Sequence, residues 1–166
     1  RKWADKLIDA DLKELYISLD GPADIHNEIR GYNKSFEKAV EGIDYLLSQP
    51  KHPKISIFCV ITQWNIGRLK EFLDYFKDYS IEQIGFMHTN YTPDNVAENH
   101  NIRFGMEYHA TASNMKDINL DAYNLKVLFS EIEEIQKTNY KFNVSFSPEI
   151  NNYKQLHSFY HEPEKL

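Results

Sequence analysis

The chain has 166 residues, of which 42% are apolar and 14% aromatic, so it can bury one ordinary core and form one globular domain. Lys and Arg number 19 against 25 Asp and Glu, and this net charge of −6, with no basic stripe, excludes nucleic acid as an expected partner. No apolar run is long enough to cross a bilayer, and residues 1–5 lack the apolar segment of a signal peptide. We therefore expect a cytoplasmic protein with no membrane partner.

The first half of the chain alternates helix and strand signals. Trp3, Leu7 and Ile8 recur at the spacing of a helix face, and the pattern then changes to β-rich runs separated by amphipathic segments. Alternation of this kind is typical of βαβ units with a parallel sheet. The predicted strands are 14–19, 54–62 and 81–88, and the predicted helices are 35–48, with Asn33 or Ser35 near its cap, and 66–78.

The second half begins with a break in this pattern. Residues 89–118 are polar, rich in Asn and Asp and without a sustained period, which predicts a long functional loop or a partly ordered insertion. A helix is predicted at 120–137, a strand at 141–146 and a short helix at 151–160. On the first of these helices, Glu131, Glu133 and Glu134 are expected to face outward. We interpret residues 1–166 as a single domain with βα units in 1–88, the loop in 89–118 and a helix-strand-helix in 119–166.

Polar groups follow the first predicted strand directly. The run Ser18-Leu19-Asp20-Gly21-Pro22 comes at the carboxyl end of that strand, where α/β folds keep their ligand sites. Asp-Gly-Pro by itself is also ordinary turn chemistry, with Gly for a positive φ and Pro to restrict the next φ. The motif continues, however, with His26-Asn27 and Arg30-Gly31 at fixed distances downstream, which a turn alone does not require.

In order and spacing, these residues resemble the middle of radical S-adenosylmethionine (SAM) enzymes. The resemblance implies an α/β fold, a TIM-like barrel of six parallel βα units, in which the predicted strand 14–19 is the fourth. This chain would then be a partial (β/α)6 barrel, about its carboxyl-terminal half. A half barrel exposes a strand edge and an apolar face, so we expect the chain to self-associate through them.

The resemblance also assigns candidate cofactor-binding residues. Ser18 looks like a hydrogen-bond partner of SAM, and Asp20 contributes there or ties down the following turn. Arg30 resembles the arginine that pairs with the carboxylate of the methionine moiety, and its alternative is a surface ion pair with Glu28 or Asp24.

Three further candidates stand at the end of the third strand. Phe86, Met87 and His88 are placed by the resemblance near the adenine edge and the substrate cavity, although lone aromatic and His residues at strand ends commonly serve packing. Subfamilies that act on peptides, sulfatase maturases among them, share the motif closely, so a peptide is one candidate substrate; a sugar or another class stays open.

The cysteine count limits what this chain can do alone. The [4Fe–4S] cluster of the family needs three closely spaced thiolates in a CxxxCxxC run, and Cys59 is the one cysteine here. Cys59 lies mid-strand among apolar residues and is read as a core residue. The full-length protein is therefore expected to hold SAM and the cluster, whereas this chain is expected to be inactive and to bind neither tightly.

Two alternatives to the radical SAM interpretation stay open. His88, His100 and His109 fall at or after a strand end and could bind a divalent ion in a metal-dependent barrel hydrolase, although no typical ligand spacing supports this. A non-catalytic domain that assembles with partners is the other alternative.

Overall fold

Runs of β-branched and aromatic residues form a four-stranded sheet in the computed structural model, which describes residues 2–90, 92–113 and 118–162. The strands are β1 (Glu14–Ser18), β2 (Lys54–Ile61), β3 (Gln83–His88) and β4 (Asn143–Ser147). All neighbouring pairs are parallel, and the order across the sheet is β1-β2-β3-β4. The chain is thus an α/β protein in which strands adjacent in sequence are adjacent in space.

Seven helices accompany this sheet among the described residues. Two of them, α2 (Ala23–Ile29) and α3 (Ser35–Leu47), separate β1 from β2, whereas α5 (Asp94–Phe104) and α6 (Leu125–Lys137) both lie between β3 and β4. Short 3₁₀ structure at Leu120–Ala122 precedes α6. The helices are α1 (Lys2–Asp9), α2 (Ala23–Ile29), α3 (Ser35–Leu47), α4 (Leu69–Phe76), α5 (Asp94–Phe104), α6 (Leu125–Lys137) and α7 (Tyr153–His161).

One face of the sheet is covered and the other is bare. Right-handed crossovers between strands that follow one another in a single direction put the connecting helices on the same face. Burial agrees with this rule, since Ile57, Ile84 and Phe86 point to the covered face and are fully buried against the helices. On the opposite face Tyr16 is 58% exposed and Met87 41% exposed.

We call this bare side the open face, because strand alternation brings a continuous set of side chains to it. The register aligns them in rows across the sheet. One row near the carboxyl ends runs through Val60 and Met87 to Ser147, and the row below it runs from Ser18 through Phe58 and Gly85 to Ser145. A third row runs from Tyr16 through Ser56 and Gln83 to Asn143, and Glu14 and Lys54 lie below it at the amino-terminal end. The open face consists of Glu14, Tyr16, Ser18, Lys54, Ser56, Phe58, Val60, Gln83, Gly85, Met87, Asn143, Ser145 and Ser147.

The segment predicted as a loop or insertion contains a helix. Within 89–118, helix α5 spans Asp94–Phe104, while residues 91 and 114–117 lie outside the described residues. The sequence pattern did not indicate this helix, because α5 buries one side chain, Ala97, and so carries almost no 3.6-residue apolar period. Its start was still signalled locally, because Pro93 precedes the helix and Asp94 lies in its first turn.

Most predicted boundaries hold within a few residues. The helix predicted from residue 66 begins at Leu69 instead. Gly67 has φ of +85°, which a right-handed helix does not allow, so α4 starts only after it. No helix among the described residues is both long enough and apolar enough to traverse a bilayer.

Candidate ligand site at the carboxyl end of the first strand

The turn after β1 is tightly constrained. Leu19 is fully buried and its N–H donates to the carbonyl of Phe58, which extends the β1–β2 ladder by one residue. Gly21 then takes φ of +131°, a conformation that side-chain-bearing residues rarely adopt. A Cβ at Gly21 would also lie 3.3 Å from Cβ of Asn65. Asp20, Gly21 and Pro22 therefore form a tight turn, and this turn places Asp20 at the carboxyl end of β1.

Asp20 and Arg30 form a two-pronged ion pair at this end of β1. Arg30 Nε donates to Asp20 Oδ2 at 2.6 Å, and Nη2 donates to Oδ1 at 3.0 Å. The side chain of Asp20 is 14% exposed and that of Arg30 is 44% exposed. Burial by itself raises the pKa of Asp20, but hydrogen bonds from His26 and Arg30 outweigh it, so the pKa lies below its ordinary value.

The partner of Arg30 is therefore neither of the acids proposed from the sequence as its surface alternative. Asp24 is occupied elsewhere, because Arg68 donates to both of its carboxylate oxygens. Arg30 uses two of its five N–H donors on Asp20, and the other three have no hydrogen-bond partner among the described residues. The carboxylate of a ligand that approaches the end of the guanidinium could accept hydrogen bonds from these donors.

The His-Asn pair of the motif ties three elements together. His26 is 3% exposed, and its Nδ1 lies 3.0 Å from the backbone N of Asp20 while Nε2 lies 3.1 Å from Ser35 Oγ. Asn27 Oδ1 accepts from the backbone N–H of Phe36 at 2.8 Å, in the first turn of α3. The predicted cap at Asn33 or Ser35 is thus replaced by an amide from α2, since no side chain at the start of α3 caps it.

Ser18 lies on the open face at the last position of β1, where it is exposed and pairs in register with Phe58. Ser18 is thus solvent-accessible two residues before Asp20, at the same end of β1. The role of Ser18 as a SAM contact stays a prediction.

Asn65 is a site residue that the sequence reasoning missed. It is fully buried in the turn after β2, and its Nδ2 donates to the carbonyl oxygens of Asp20 at 3.0 Å and Val60 at 2.7 Å. Its Oδ1 accepts from the N–H of Thr62 at 2.8 Å. Asn65 therefore joins the carboxyl ends of β1 and β2. The available signal was an Asn three residues after Thr62, where side chains of this type close turns on the backbone.

Phe86 and His88 lie on the covered face, away from the open one. The Phe86 ring stacks on Phe146 with 5.1 Å between centroids. His88 is 2% exposed, its Nδ1 lies 2.9 Å from the hydroxyl of Tyr160 in α7, and burial lowers its pKa to about 4. Their cofactor role stays a prediction that this placement disfavours, because the neighbours that reach the open face are Gly85 and Met87.

The histidines proposed as metal ligands are not brought together. His100 Nε2 contacts the carbonyl oxygen of Tyr108 at 2.7 Å, and His109 is exposed. Within 2–90, 92–113 and 118–162, no group of three or more His, Cys, Asp or Glu side chains could hold a metal ion. Cys59 is fully buried, and burial raises the pKa of its thiol.

The site as described joins an exposed hydroxyl at Ser18, a shielded carboxylate at Asp20 and a guanidinium at Arg30 with unused donors, all at one strand end. A scan against models of protein families, a search of curated proteins and a search of solved structures found no match to this chain.

Proposed function

We propose that this chain is the carboxyl-terminal half of a radical SAM barrel. In such a barrel the helices form the outer layer and the strands present their other face to the interior. A parallel sheet in sequential order, with helices on one side and a bare second side, supports this reading. The open face would then form part of the interior wall.

The observation that carries the proposal is the convergence of the motif residues. Asp20, His26 and Arg30 are spread over eleven positions of sequence, yet they form one hydrogen-bonded cluster at the carboxyl end of β1. Ligands of parallel α/β folds bind at this end of the strands. The three remaining N–H donors of Arg30 fit the carboxylate of SAM, since guanidinium and carboxylate pair in a planar, two-pronged geometry.

The iron–sulfur cluster does not fit the residues of this chain. Its one cysteine, Cys59, is buried within β2 and no other thiol is present to complete a triplet. The proposal therefore requires cluster-binding cysteines in a polypeptide region other than these 166 residues. We expect the chain by itself to be inactive and to bind SAM poorly.

In the complete enzyme, a cluster held outside these residues and SAM held partly by Arg30 would supply radical chemistry for hydrogen abstraction. The part of this chain is to hold the SAM carboxylate at Arg30, to offer the hydroxyl of Ser18 and, near the carboxyl ends of the strands, to line the interior with uncharged side chains. The segment that contains α5 follows β3 at the same end of the sheet, which suits an element that faces the substrate. A peptide stays one candidate for that substrate.

The test uses the full-length protein, purified without oxygen and reconstituted with iron and sulfide. After reduction with dithionite, we expect a [4Fe–4S] signal in electron paramagnetic resonance that changes on addition of SAM, together with formation of 5′-deoxyadenosine. Arg30→Ala should weaken the SAM-dependent change. A matched control is Arg68→Ala, because Arg68 lies near the same edge but is occupied by Asp24 and Glu71. A full-length protein with no cluster would overturn the proposal.

A non-catalytic assembly domain is the second candidate, and one observation favours it. The open face exposes Tyr16, Val60 and Met87, and the sheet ends on either side in strands β1 and β4, each with one unpaired edge among the described residues. Exposed edges and apolar faces of this kind are templates for pairing with another chain.

A further inference from the structure

The orientation of Arg30 depends on a single carboxylate. Among the residues that the structure describes, Asp20 is the hydrogen-bond partner of the guanidinium, and the Arg30 side chain is otherwise 44% exposed. A long exposed side chain samples many rotamers unless a neighbour restricts it. The direction in which Arg30 presents its remaining donors is therefore set by where the Asp20 carboxylate points.

The Asp20 carboxylate is in turn held by His26. Nδ1 of His26 lies 3.0 Å from Asp20 Oδ2, the same oxygen that accepts from Arg30 Nε, and 3.0 Å from the backbone N of Asp20. With a proton on Nδ1 the ring donates to the carboxylate, and without it the ring accepts from the backbone N–H. Either tautomer keeps a contact with Asp20, and the tautomer with the proton on Nδ1 holds the carboxylate directly.

The His26 ring is itself buried and held by contacts on several sides. It is 3% exposed, Nε2 lies 3.1 Å from Ser35 Oγ, and the ring makes an edge contact with Phe36 at 6.1 Å between centroids. Ser35 and Phe36 both belong to the first turn of α3. The path of contacts therefore runs from a packed helix, through His26 and Asp20, to the exposed guanidinium.

We infer that His26 is a positioning residue: it orients the Asp20 carboxylate, and through it the Arg30 guanidinium, toward a ligand carboxylate at the open end of β1. The ligand named here, SAM, rests on the function proposed above. The orientation of Arg30 does not, because it is a property of the folded chain.

Two substitutions separate the contacts of the ring. The amide group of Asn stands two bonds from Cβ, as Nδ1 does, so His26→Asn keeps a polar atom beside Asp20. The amide group of Gln stands three bonds from Cβ, as Nε2 does, so His26→Gln keeps the contact with Ser35 and loses the one with Asp20. If His26 served only to stabilise the fold, the two variants would affect Arg30 alike. If it acts through Asp20, His26→Gln should affect Arg30 more than His26→Asn does.

The first readout is the Nε–H signal of Arg30 in the ¹⁵N-labelled chain, assigned by its loss in Arg30→Lys. In the wild type we expect slow exchange with water, because Asp20 holds this proton. Exchange should accelerate about tenfold in His26→Gln and in Asp20→Asn and stay near the wild-type rate in His26→Asn, since loss of one charge-assisted hydrogen bond corresponds to roughly this factor. An unchanged rate in a folded His26→Gln variant would overturn the inference.

Ser35→Ala covers the case in which the His26 variants fail to fold. It leaves the imidazole in place and removes the partner of Nε2, so the ring loosens and Arg30 Nε–H exchange should rise by a smaller factor. If exchange in folded Ser35→Ala equals that of the wild type, the proposed path through the ring is wrong.

The second readout compares two ligands on the full-length protein. SAM carries the carboxylate, whereas 5′-methylthioadenosine lacks the amino-acid portion altogether. We expect His26→Gln to weaken SAM binding about tenfold and to leave 5′-methylthioadenosine unaffected. If the wild type binds neither ligand, the proposed function fails, while the exchange rate of Arg30 still decides whether His26 positions it.

Discussion

At the scale of single residues, the site depends on side chains whose roles lie in holding other groups. His26, Asn27 and Asn65 are buried or half-buried, and each spends its polar atoms on backbone or side-chain partners from another element. Buried polar groups need such partners because an unsatisfied one loses its hydration without compensation. The motif therefore also fixes the carboxyl end of β1 to helices α2 and α3.

Glycine at the turn after β1 provides a direct test of that fixation. Gly21→Ala should destabilise the protein by about 1–3 kcal/mol, because an L side chain is strained at this φ. Thermal or urea unfolding measures the change. The matched control is Gly42→Ala in α3, where nothing lies within 4 Å of the added methyl group. There we expect a gain of about 0.5–1 kcal/mol from helix propensity. Equal effects at both positions would refute the role of Gly21.

His88 predicts a dependence of stability on pH. Burial lowers its pKa to about 4 in the folded chain, against an ordinary value of 6.5, so the unfolded chain takes up a proton first as the pH falls. Stability should therefore decline between about pH 6.5 and pH 4, by up to about 3 kcal/mol. Urea unfolding across this range measures it.

His88→Asn is the control for this pH dependence. The amide keeps a polar atom at the position of Nδ1 near the Tyr160 hydroxyl but does not titrate, so the slope over this window should flatten. The Asp20 carboxyl, whose pKa is lowered, contributes a loss of its own at lower pH, below its ordinary value of 3.8. A slope that persists unchanged in His88→Asn would show that other groups cause it.

At the scale of elements, two helices obtain their amino-terminal caps from distant side chains. Asn27 of α2 serves α3, and Glu131 of α6 serves α4, whose own N-cap residue, Arg68, makes no capping side-chain hydrogen bond. Glu131 Oε2 accepts from the N–H of Gly67 at 2.8 Å, and Oε1 accepts from the N–H of Lys70 at 3.1 Å. The expectation that Glu131 faces outward is therefore wrong: it is buried, and it neutralises free N–H groups at a helix start.

Removal of this distant cap should weaken the contact between α4 and α6. Glu131→Ala leaves the N–H groups of Gly67 and Lys70 without their acceptors, which we expect to cost about 1–3 kcal/mol. Chemical unfolding provides the measurement. Glu133→Ala on the same helix is the control, because Glu133 is exposed and such surface changes stay within about 0.5 kcal/mol. A similar small change in both variants would argue against the cap.

At the scale of the whole molecule, the one-sided sheet is the dominant feature. Helices cover the side that contains Ile57, Ile84 and Phe86, whereas Tyr16, Val60 and Met87 stay accessible on the other. An open face of this composition, flanked by edge strands, favours contact with a second protein surface.

We expect the isolated chain to self-associate through this face and its edges. Light scattering over a range of concentrations should show species heavier than the 19.6 kDa chain. Val60→Lys should shift the population toward monomer, because a charge on the open face opposes its burial. Trp3→Lys on α1 is the control, since Trp3 is 76% exposed and α1 contacts α3 in the helix layer. A strictly monomeric wild type at high concentration would contradict the prediction.

The amino-acid sequence by itself determined the α/β class, the strands and most helices. Apolar periodicity and turn residues are local signals, so they can be identified without knowing which elements pack together. It also singled out Ser18, Asp20 and Arg30 at one strand end. It failed for α5, whose polar surface carries no period, and for Glu131, whose burial depends on another helix. Only the tertiary structure shows that Arg30 pairs with Asp20 and that Phe86 and His88 face the helices. It also shows that His26 and Asn65 hydrogen-bond to Asp20. The reason is that these contacts join residues that lie far apart in the chain or on different elements, and a linear pattern does not encode which faces meet.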